Sequence, residues 1–331
     1  ESCGIAINDD GIITGHKGVG LVSEVFTKDA IEKLPRGNMA IGHCRYSTAG
    51  GLSVVNAQPL VIRHIKGTMA IAHNGNLTNA AALKEELELT GAIFHTTSDT
   101  EVISYTIIRE RLSSSSIEEA ISRAMMKIQG AYSLVIMSPK KLIAVRDPLG
   151  FRPLCIGKAG EDYVIASESC ALDSVGAAFV RDVKPGEIVV IDEEGMRSIE
   201  DNCIPGKKSA CVFEFIYFAR PDSVIDGSCV HTARQRAGAF LSLEHPVQAD
   251  VVIGVPDSGI DAALGYSKQS GIPYDVGFIK NKYIGRTFIE PYQPQRENTL
   301  RIKLNPISST VRGKRVILID DSIVRGTTSK R

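Results

Sequence analysis

The order of the predicted strands and helices changes part-way along the chain, and this change constrains the fold most strongly. The first two-thirds groups its strand candidates in clusters separated by a block of helix candidates. After a polar, turn-forming stretch, Asp201–Lys208, strands and helices alternate. Clustered strands favour helices packed on antiparallel sheets, whereas alternation favours a parallel sheet with crossover helices. With 331 residues the chain is long enough for two domains, which we predict at 1–205 and 206–331.

The predicted elements follow from runs of aliphatic residues and from helical spacing of apolar ones. The strand candidates of the first part are Met39–Arg45, Thr68–His73, Tyr132–Met137, Lys141–Val145, Tyr163–Ala166 and Glu187–Asp192. Its helix candidates are Asn79–Leu89, Asp99–Leu112 and Ile117–Gln129. In the second part the candidates, in chain order, are helix Thr232–Leu243, strand Ala249–Val255, helix Gly259–Ser270, strand Val276–Ile279 and strand Arg315–Ile319.

The composition narrows the class of partner. Lys plus Arg and Asp plus Glu both number 38, so no basic excess favours a nucleic acid or a membrane surface. The seven cysteines are scattered without a CxxC pair, which is typical of reduced thiols in a cytoplasmic protein. No apolar run reaches the roughly 18 residues of a membrane helix. We therefore expect a cytoplasmic protein that binds neither nucleic acid nor membrane.

Two carboxylates, Asp320 and Asp321, follow the aliphatic strand Val316–Ile319 and precede a loop of glycine and hydroxyl residues, Ser322–Ser329. Ligands of open α/β sheets bind beyond the carboxyl ends of such strands. Loop amides at a helix N-terminus suit a phosphate, whereas carboxylates suit sugar hydroxyls or a metal ion. The alternative without a ligand site is a strand followed by an acidic turn and a polar loop. The order of the residue types, acids and then glycine and hydroxyl residues directly after the strand, disfavours this alternative. A nucleotide P-loop is excluded because GxxxxGK[ST] is missing.

This stretch resembles the phosphoribosylpyrophosphate-binding motif of type I phosphoribosyltransferases. The resemblance implies that Asp320 and Asp321 hold the ribose hydroxyls and help to bind Mg²⁺, with Ser258 at a metal-associated position. It also implies a loop that closes over pyrophosphate and carries Lys280, Lys282 and Arg286. The implied phosphoribosylpyrophosphate-binding residues are Asp257, Ser258, Asp320, Asp321, Ser322, Arg325, Gly326, Thr327 and Thr328. Taken singly, 255–259 is an ordinary strand-to-helix turn and 280–287 a solvated loop.

Three short pieces of the first part carry a second pattern: Gly42–Gly50, Ala72–Leu77 and Thr97–Glu101. Each has a bland interpretation. Arg45 can be a strand-end cation, Asn74-Gly75 is a strong turn former, and Ser98-x-x-Glu101 predicts a capping box that opens a helix.

In this order the pieces resemble the glutamine site of class II amidotransferases, which are αββα N-terminal-nucleophile hydrolases. The resemblance implies that Arg45 binds the α-carboxylate of glutamine and Asp99 its α-ammonium, while Thr48 lines the pocket. The Asn74 side chain and the Gly75 N–H would form the oxyanion hole. Arg146–Leu154 and Ala166–Cys170 match the same domain as scaffold.

The nucleophile of that family is an N-terminal cysteine, and Glu1 does not match it. Glu1–Ala6 resembles a segment that lies well past the nucleophile, and the last strand is followed at Lys330–Arg331 by the place where a helix should begin. We therefore expect a fragment that lacks both termini and lacks glutaminase activity. Cys3 and Cys44 are predicted to be packing residues, because a thiol without an adjacent base is usually inert. His43 and His73 are predicted to be strand residues.

Cys211 opens a segment, Cys211–Asp222, that resembles the interdomain segment of the iron–sulfur branch of the glutamine phosphoribosylpyrophosphate amidotransferases. There, a cysteine at this place is one of four ligands to a [4Fe–4S] cluster, and the other three would lie beyond Arg331. A buried, unliganded cysteine is the alternative.

Because both motif sets occur in one chain, the whole sequence resembles that amidotransferase family. The resemblance implies the first committed step of de novo purine (IMP) synthesis, in which ammonia from glutamine is transferred to phosphoribosylpyrophosphate. The products would be 5-phosphoribosylamine, glutamate and pyrophosphate, and the assembly a homotetramer. The alternative is a non-catalytic or orphaned fragment that only binds phosphoribosylpyrophosphate.

Overall fold

The computed structural model describes residues 1–46, 53–281 and 304–323. It forms two compact units, Glu1–Cys211 and Val212–Arg331. The first unit ends later than the predicted linker because the backbone N–H groups of Ser209 and Cys211 donate to the carbonyls of Leu149 and Phe151, at 2.7 and 3.1 Å. The site candidates outside the described residues are Thr48, Lys282, Arg286, Arg325, Gly326, Thr327 and Thr328.

Each of the six strands and three helices predicted for the first unit is present, and its described residues form six further strands and three further short helices that were not predicted. Its strands are β1 Ser2–Asp9, β2 Ile12–Val19, β3 Met39–Arg45, β4 Leu60–His64, β5 Gly67–Leu77, β6 Gly130–Met137, β7 Leu142–Arg146, β8 Cys155–Ala159, β9 Asp162–Ala166, β10 Ala178–Asp182, β11 Ile188–Asp192 and β12 Gly195–Ile199. Its helices are α1 Val22–Val25, α2 Lys28–Glu32, α3 Ala80–Leu89, α4 Asp99–Ser113, α5 Ile117–Met125 and α6 Ser169–Ser174, with a 3₁₀ turn at Val54–Asn56.

The strands of the first unit form three antiparallel sheets. The largest has the order β12-β11-β7-β6-β5-β4, and the other two have the orders β2-β1-β3 and β10-β8-β9. Alternation along β5 gives the large sheet two apolar faces. Ile71 packs with residues of α4 and α5, whereas Ala70 and Ala72 pack against Ala6 and Ile41 of the β2-β1-β3 sheet.

The third sheet completes a layered arrangement of helices, sheet, sheet and helix. Ile156 of β8 packs against Ala144 and Val189 of the large sheet. On its other side, Leu172 of α6 packs against Cys155. The predicted fold of helices on antiparallel sheets is confirmed for this unit.

Helix α5 begins at Ile117 as predicted but ends at Met125, which is earlier than the predicted Gln129. The reason is a change of hydrogen-bond partner. The Gln129 carbonyl accepts from the Thr78 N–H at 2.8 Å, and the Gln129 N–H donates to Asn79 Oδ1 at 3.0 Å. These bonds turn the chain out of the helix and into β6.

The second unit contains the short strands β13 Val224–Ile225, β14 Ser228–Cys229, β15 Val251–Gly254, β16 Phe278–Lys280, β17 Leu304–Pro306 and β18 Val316–Ile319. Its helices are α7 Val230–Glu244 and α8 Gly259–Ser270, with a π-helical turn at Glu214–Phe218 and a short helix at Ser308–Val311. Across the described ranges, no helix is long and apolar enough to cross a membrane.

The predicted parallel sheet is present where β15 and β18 pair, with Val251 opposite Val316. The strand predicted at Val276–Ile279 is displaced to β16 and pairs antiparallel with β17, so it was wrongly placed in the parallel sheet. The parallel contact with β15 is made earlier, because Tyr274 bridges Val252.

Candidate active sites

The carboxyl ends of β15 and β18 lie side by side, and the loops that follow them are hydrogen-bonded to each other. The Ser258 hydroxyl, after β15, donates to Asp321 Oδ1 at 2.6 Å. On the other side of the same carboxylate, the Ser322 hydroxyl donates to Asp321 Oδ2 at 2.8 Å. The structure therefore brings together Ser258, Asp321 and Ser322, as the sequence predicted from strand ends that share one edge.

Asp320 differs from its neighbour in its surroundings. Burial raises the pKa of Asp320 to about 6, and the adjacent Asp321 carboxylate adds to the increase. The Asp321 backbone N–H donates to Asp320 Oδ1 at 2.9 Å. Two carboxyl groups held this close favour a ligand that supplies hydroxyl donors or a cation.

Helix α8 begins directly at the strand ends, at Gly259. A Cβ atom at Gly259 would lie 2.3 Å from the carbonyl oxygen of Ile319, so only glycine permits this approach. The N-terminus of α8 carries partial positive charge from the aligned peptide dipoles of the helix, which favours anions. Asp257 precedes it and forms an ion pair with the ammonium of Lys280. The described candidates of the second unit thus lie around one helix N-terminus.

In the first unit, Asn74 and Gly75 lie inside β5 and not in a turn, opposite Ser133 and Tyr132 of β6. The turn interpretation of Asn74-Gly75 was therefore wrong. Gly75 has φ +152°, and a Cβ atom there would lie 2.0 Å from the Ala131 carbonyl oxygen. Glycine is required at this position by both conformation and space.

Asp99 is the first residue of α4, and its carboxylate bonds back to the end of β5. The Leu77 N–H donates to Asp99 Oδ2 at 2.9 Å, and His73 Nδ1 lies 3.5 Å from Asp99 Oδ1. Burial by itself raises the pKa of Asp99, but hydrogen bonds from His73 and from backbone N–H groups outweigh it, so the pKa lies below its ordinary value. Asp99 is therefore ionised at neutral pH and lies beside the strand that carries Gly75.

The predicted capping box at Ser98 and Glu101 is only half formed. The Ser98 hydroxyl accepts from the Thr100 N–H at 3.3 Å, as an N-cap does. The buried Glu101 carboxylate accepts instead from the N–H groups of His95 and Thr96, the latter at 2.7 Å. The carboxylate of Glu101 therefore binds N–H groups that precede the N-cap residue. These bonds fix the loop that leads into Asp99.

Arg45 is the last residue of β3, where it pairs with Ser2 of β1. Alternation puts Arg45 on the same face of the strand as Ile41 and His43. Ile41 packs against β5 residues, and the His43 side chain hydrogen-bonds to the backbone of His73. The face of β3 that carries Arg45 is therefore the face turned towards β5, the strand of Asn74 and Gly75.

The comparisons with known proteins agree with this geometry. Residues 43–174 match the model of a glutamine amidotransferase domain. Over its whole length the chain is 49% identical to an amidophosphoribosyltransferase of Methanocaldococcus jannaschii and 50% identical to one of Bacillus subtilis, of which it spans 73% and 69%. The chain belongs to the amidophosphoribosyltransferase family.

Solved structures of the family extend the agreement to the fold. All of the chain superposes on 71% of a glutamine phosphoribosylpyrophosphate amidotransferase from B. subtilis, with a TM-score of 0.90 and 48% identity. A second structure, of the allosteric regulatory enzyme of purine biosynthesis, gives a TM-score of 0.91 with 49% identity over 70% of that chain. The class II amidotransferase fold followed by a phosphoribosyltransferase fold is thereby confirmed.

Within this family fold, Cys3 and Cys44 lie opposite each other on β1 and β3. Burial raises the pKa of both thiols, and in Cys3 the neighbouring Cys44 adds to the increase. A raised pKa means little thiolate at neutral pH, so neither thiol is activated as a nucleophile. Cys3 is buried, in agreement with its prediction as a packing residue, whereas Cys44 is exposed, so that prediction was wrong for Cys44.

The predicted scaffold segment Arg146–Leu154 is built around a fully buried arginine. The Arg146 guanidinium donates to the carbonyls of Arg152, Val183 and Gly150, at 2.7, 2.8 and 3.2 Å. Asp147 accepts from the N–H groups of the following turn. These contacts hold β7 and the loop after it in place.

Several residues around the first site carried no recognisable signal in the sequence. The buried Gln58 accepts from the His73 N–H at 2.6 Å, and the buried Asn56 exchanges two hydrogen bonds of 3.0 Å with Thr97. His73, predicted to be an ordinary strand residue, contacts Asp99. A histidine directly before Asn-Gly in a buried strand was the one available clue, because buried polar groups need partners.

Proposed function

We propose that the protein is an amidophosphoribosyltransferase that hydrolyses glutamine and transfers the ammonia to phosphoribosylpyrophosphate. The products are 5-phosphoribosylamine, glutamate and pyrophosphate, and the reaction is the first committed step of purine synthesis. The observation that carries the proposal is the presence of both sites in one chain whose full length matches amidophosphoribosyltransferases. A glutamine amidotransferase of another kind would share the first unit alone, and another phosphoribosyltransferase the second.

In the first unit, glutamine binding follows from the two opposite charges of a free amino acid. Arg45 would pair with the α-carboxylate and the ionised Asp99 with the α-ammonium, which together fix one orientation. Thr48, outside the described residues, would line the same pocket. The side-chain amide of Asn74 and the N–H of Gly75 would donate to the oxyanion that develops when a nucleophile attacks the glutamine amide.

In the second unit, the acceptor is phosphoribosylpyrophosphate. Asp320 and Asp321 would accept from the ribose hydroxyls, and the N-terminus of α8 would face the anionic part of the ligand. Among residues that the structure does not describe, the implied 5-phosphate ligands are Arg325, Gly326, Thr327 and Thr328. Lys280, with Lys282 and Arg286, would stabilise the negative charge that the departing pyrophosphate gathers.

The chemistry of the second step sets what this site must do. Ammonia displaces pyrophosphate from the anomeric carbon, so one C–N bond forms as one C–O bond breaks. An uncharged amine needs no strong general base. The main requirement is the exclusion of water, which would otherwise attack the same carbon.

A magnesium ion fits the residues after β18. Mg²⁺ is usually held by one or two carboxylates together with substrate phosphates, and Asp320, Asp321 and Ser258 offer such oxygen ligands. Burial, together with the adjacent Asp321, raises the pKa of Asp320, and a bound dication would favour the ionised form of both acids. When bound, Mg²⁺ would neutralise charge on the pyrophosphate leaving group.

An iron–sulfur cluster fits the described residues less well. Nowhere in 1–46, 53–281 or 304–323 do three His, Cys, Asp or Glu side chains gather to hold a metal, and a [4Fe–4S] cluster needs four thiolates. We assign no step to a cluster. Cys211 is only half-buried, so its thiol could serve as one ligand of four, and we retain it as a proposed ligand. A homotetramer in the cytoplasm is likewise proposed.

The test is a pair of assays on the full-length protein: glutamate release from glutamine, and pyrophosphate release with ammonium supplied. Asn74→Ala should lower the first rate by roughly 10²–10³, the usual effect of one lost oxyanion donor. The second rate should be unchanged, because free ammonia bypasses the glutamine site. Wild-type protein that shows neither activity but binds phosphoribosylpyrophosphate would support the binding-only alternative.

A further inference from the structure

The imidazole of His73 lies between two parts of the proposed glutamine site. His73 and Gly75 are on the face of β5 that is turned towards α4, where the His73 side chain is 1% exposed. Nε2 of His73 lies 2.9 Å from the place where a Cβ atom of Gly75 would be. On the other edge of the ring, Nδ1 lies 3.5 Å from Asp99 Oδ1 and 3.3 Å from Thr100 Oγ1.

The Asp99 carboxylate decides which ring nitrogen carries the proton. If Nδ1 were unprotonated, its lone pair would face an anionic oxygen at 3.5 Å, which is repulsive. Protonated Nδ1 can instead donate to Asp99 and Thr100, as a histidine oriented by a carboxylate usually does. The Leu77 N–H holds the other oxygen of Asp99 at 2.9 Å. Both oxygens of the carboxylate are thus fixed from the protein side.

The position of His73 is itself fixed by the fold. Its backbone N–H donates to the buried Gln58 Oε1 at 2.6 Å, and its strand pairs with Leu134 of β6. Nε2 is buried and has no hydrogen-bond partner among the described residues. The polar contacts of the ring with described residues are therefore those of Nδ1, and both of them, with Asp99 and with Thr100, are directed at the first turn of α4.

We propose that His73 is a positioning residue that aims the Asp99 carboxylate at the α-ammonium group of glutamine. The inference rests on the proposed function of Asp99 as the ammonium-binding group. It explains why a histidine occupies an apolar face, where a leucine of similar volume would pack without leaving Nε2 unpaired. The hydrogen bond from His73 is also one of the causes that lower the pKa of Asp99.

The experiment compares two ligands in three variants of the full-length protein. Glutamine carries the α-ammonium group, whereas glutaramate is the same molecule without it. Both are titrated by equilibrium dialysis in protein whose N-terminal nucleophilic cysteine, implied by the family resemblance, is replaced by alanine, so that neither ligand is hydrolysed. His73→Leu removes the donor. His73→Asn keeps a nitrogen bonded to Cγ, at the place of Nδ1, whereas His73→Gln moves the nitrogen one atom further, towards the place of Nε2.

We expect His73→Leu and His73→Gln to weaken glutamine binding by about tenfold, the effect of one lost hydrogen bond to a charged group. Glutaramate binding should change less than about twofold, because it makes no use of Asp99. His73→Asn should restore glutamine binding to within about threefold of wild type. In turnover, the KM for glutamine should rise while kcat is nearly constant, as for a group that binds ground state and transition state alike.

The ratio of the two dissociation constants within one preparation does not depend on how much of the protein is folded. A variant of low stability therefore still gives a decisive result. The proposal is overturned if the ratio of the two dissociation constants is the same in all three variants as in wild type. If both ligands are weakened equally, His73 only packs; if neither is weakened, His73 does not affect binding. Wild-type protein that binds glutamine no better than glutaramate would instead overturn the role of Asp99. His64→Asn, at the end of β4 outside the site, is the control and should behave as wild type.

Discussion

Replacing Asp320 by asparagine should stabilise the folded protein and, at the same time, impair its binding of phosphoribosylpyrophosphate. The change keeps the shape of the side chain and an oxygen that can accept from the Asp321 N–H, a bond of 2.9 Å. It removes a carboxyl group whose pKa is raised to about 6 by burial and by Asp321. Against an ordinary value of about 3.9, this corresponds to about 3 kcal/mol at neutral pH. Because the group is only half-buried, solvent screening reduces the expected gain to about 1–2 kcal/mol.

The raised pKa of Asp320 determines how the stability difference between Asp320→Asn and wild type changes with pH. The folded state holds the Asp320 proton more tightly than the unfolded state, so the stabilising contribution is complete below about pH 4 and is lost as pH rises through about 6. Asp320→Asn should therefore gain stability over wild type at about pH 7 and little at about pH 4.

The assay is urea-induced unfolding at both pH values, with and without Mg²⁺. Mg²⁺ should stabilise wild type more than the variant, because it binds the ionised acid in the folded state. Asp275→Asn, an exposed position of the same unit, is the control and should change neither stability nor its pH dependence. If Asp320→Asn were no more stable than wild type at neutral pH, the electrostatic reasoning about this pair of acids would be refuted.

Three further changes test the two sites and the proposed cluster ligand. Asp321→Asn should raise the KM for phosphoribosylpyrophosphate about tenfold or more in the ammonia-dependent assay, because it weakens a charged acceptor, and an unchanged KM would contradict the assignment. Gly75→Ala should lower glutaminase kcat by roughly 10²-fold or more and leave the ammonia-dependent rate intact, since its Cβ would clash with the Ala131 carbonyl. Cys211→Ser should remove iron from anaerobically purified full-length protein, which should otherwise carry about four irons per chain, while Cys203→Ser should retain it; iron-free wild type would make Cys211 a packing residue.

Elements whose ends are set by local chemistry could be predicted from the sequence. Strand β3 and helix α8 have the predicted bounds, and α4 begins at the predicted Asp99 after its Ser98 cap. The predictions failed where a residue distant in sequence determines the end of a helix or the pairing partner of a strand. Helix α5 ends early because residues 78–79 take over its last backbone groups. Likewise, β16 pairs with β17 and not with the parallel sheet, and no local pattern specifies that partner.

The same division applies to the sites. The acids, glycines and Asn74 could be proposed because each belongs to a short motif. The hydrogen bond between Ser258 and Asp321 joins residues 63 apart in sequence, and only the parallel pairing of β15 with β18 brings them together. For Glu101, the motif predicted the right residue and the wrong partners, since a carboxylate at this position can reach either the N-cap or the loop before it.

Both sites combine a close backbone approach at a glycine with a carboxylate held by main-chain N–H groups. At Gly75 and Gly259 any side chain would overlap a carbonyl oxygen of a neighbouring strand, so these glycines set how closely β5 approaches β6 and how closely α8 approaches β18. Asp99 and Asp320 each accept a backbone N–H, at 2.9 Å, which fixes one oxygen and leaves the direction of the other to a neighbouring side chain. That neighbour is His73 in the first site. A supporting residue of this kind does not contact the substrate, yet its substitution should alter the KM of that substrate. The change in KM should depend more on whether the carboxylate keeps its orientation than on the volume of the replaced side chain.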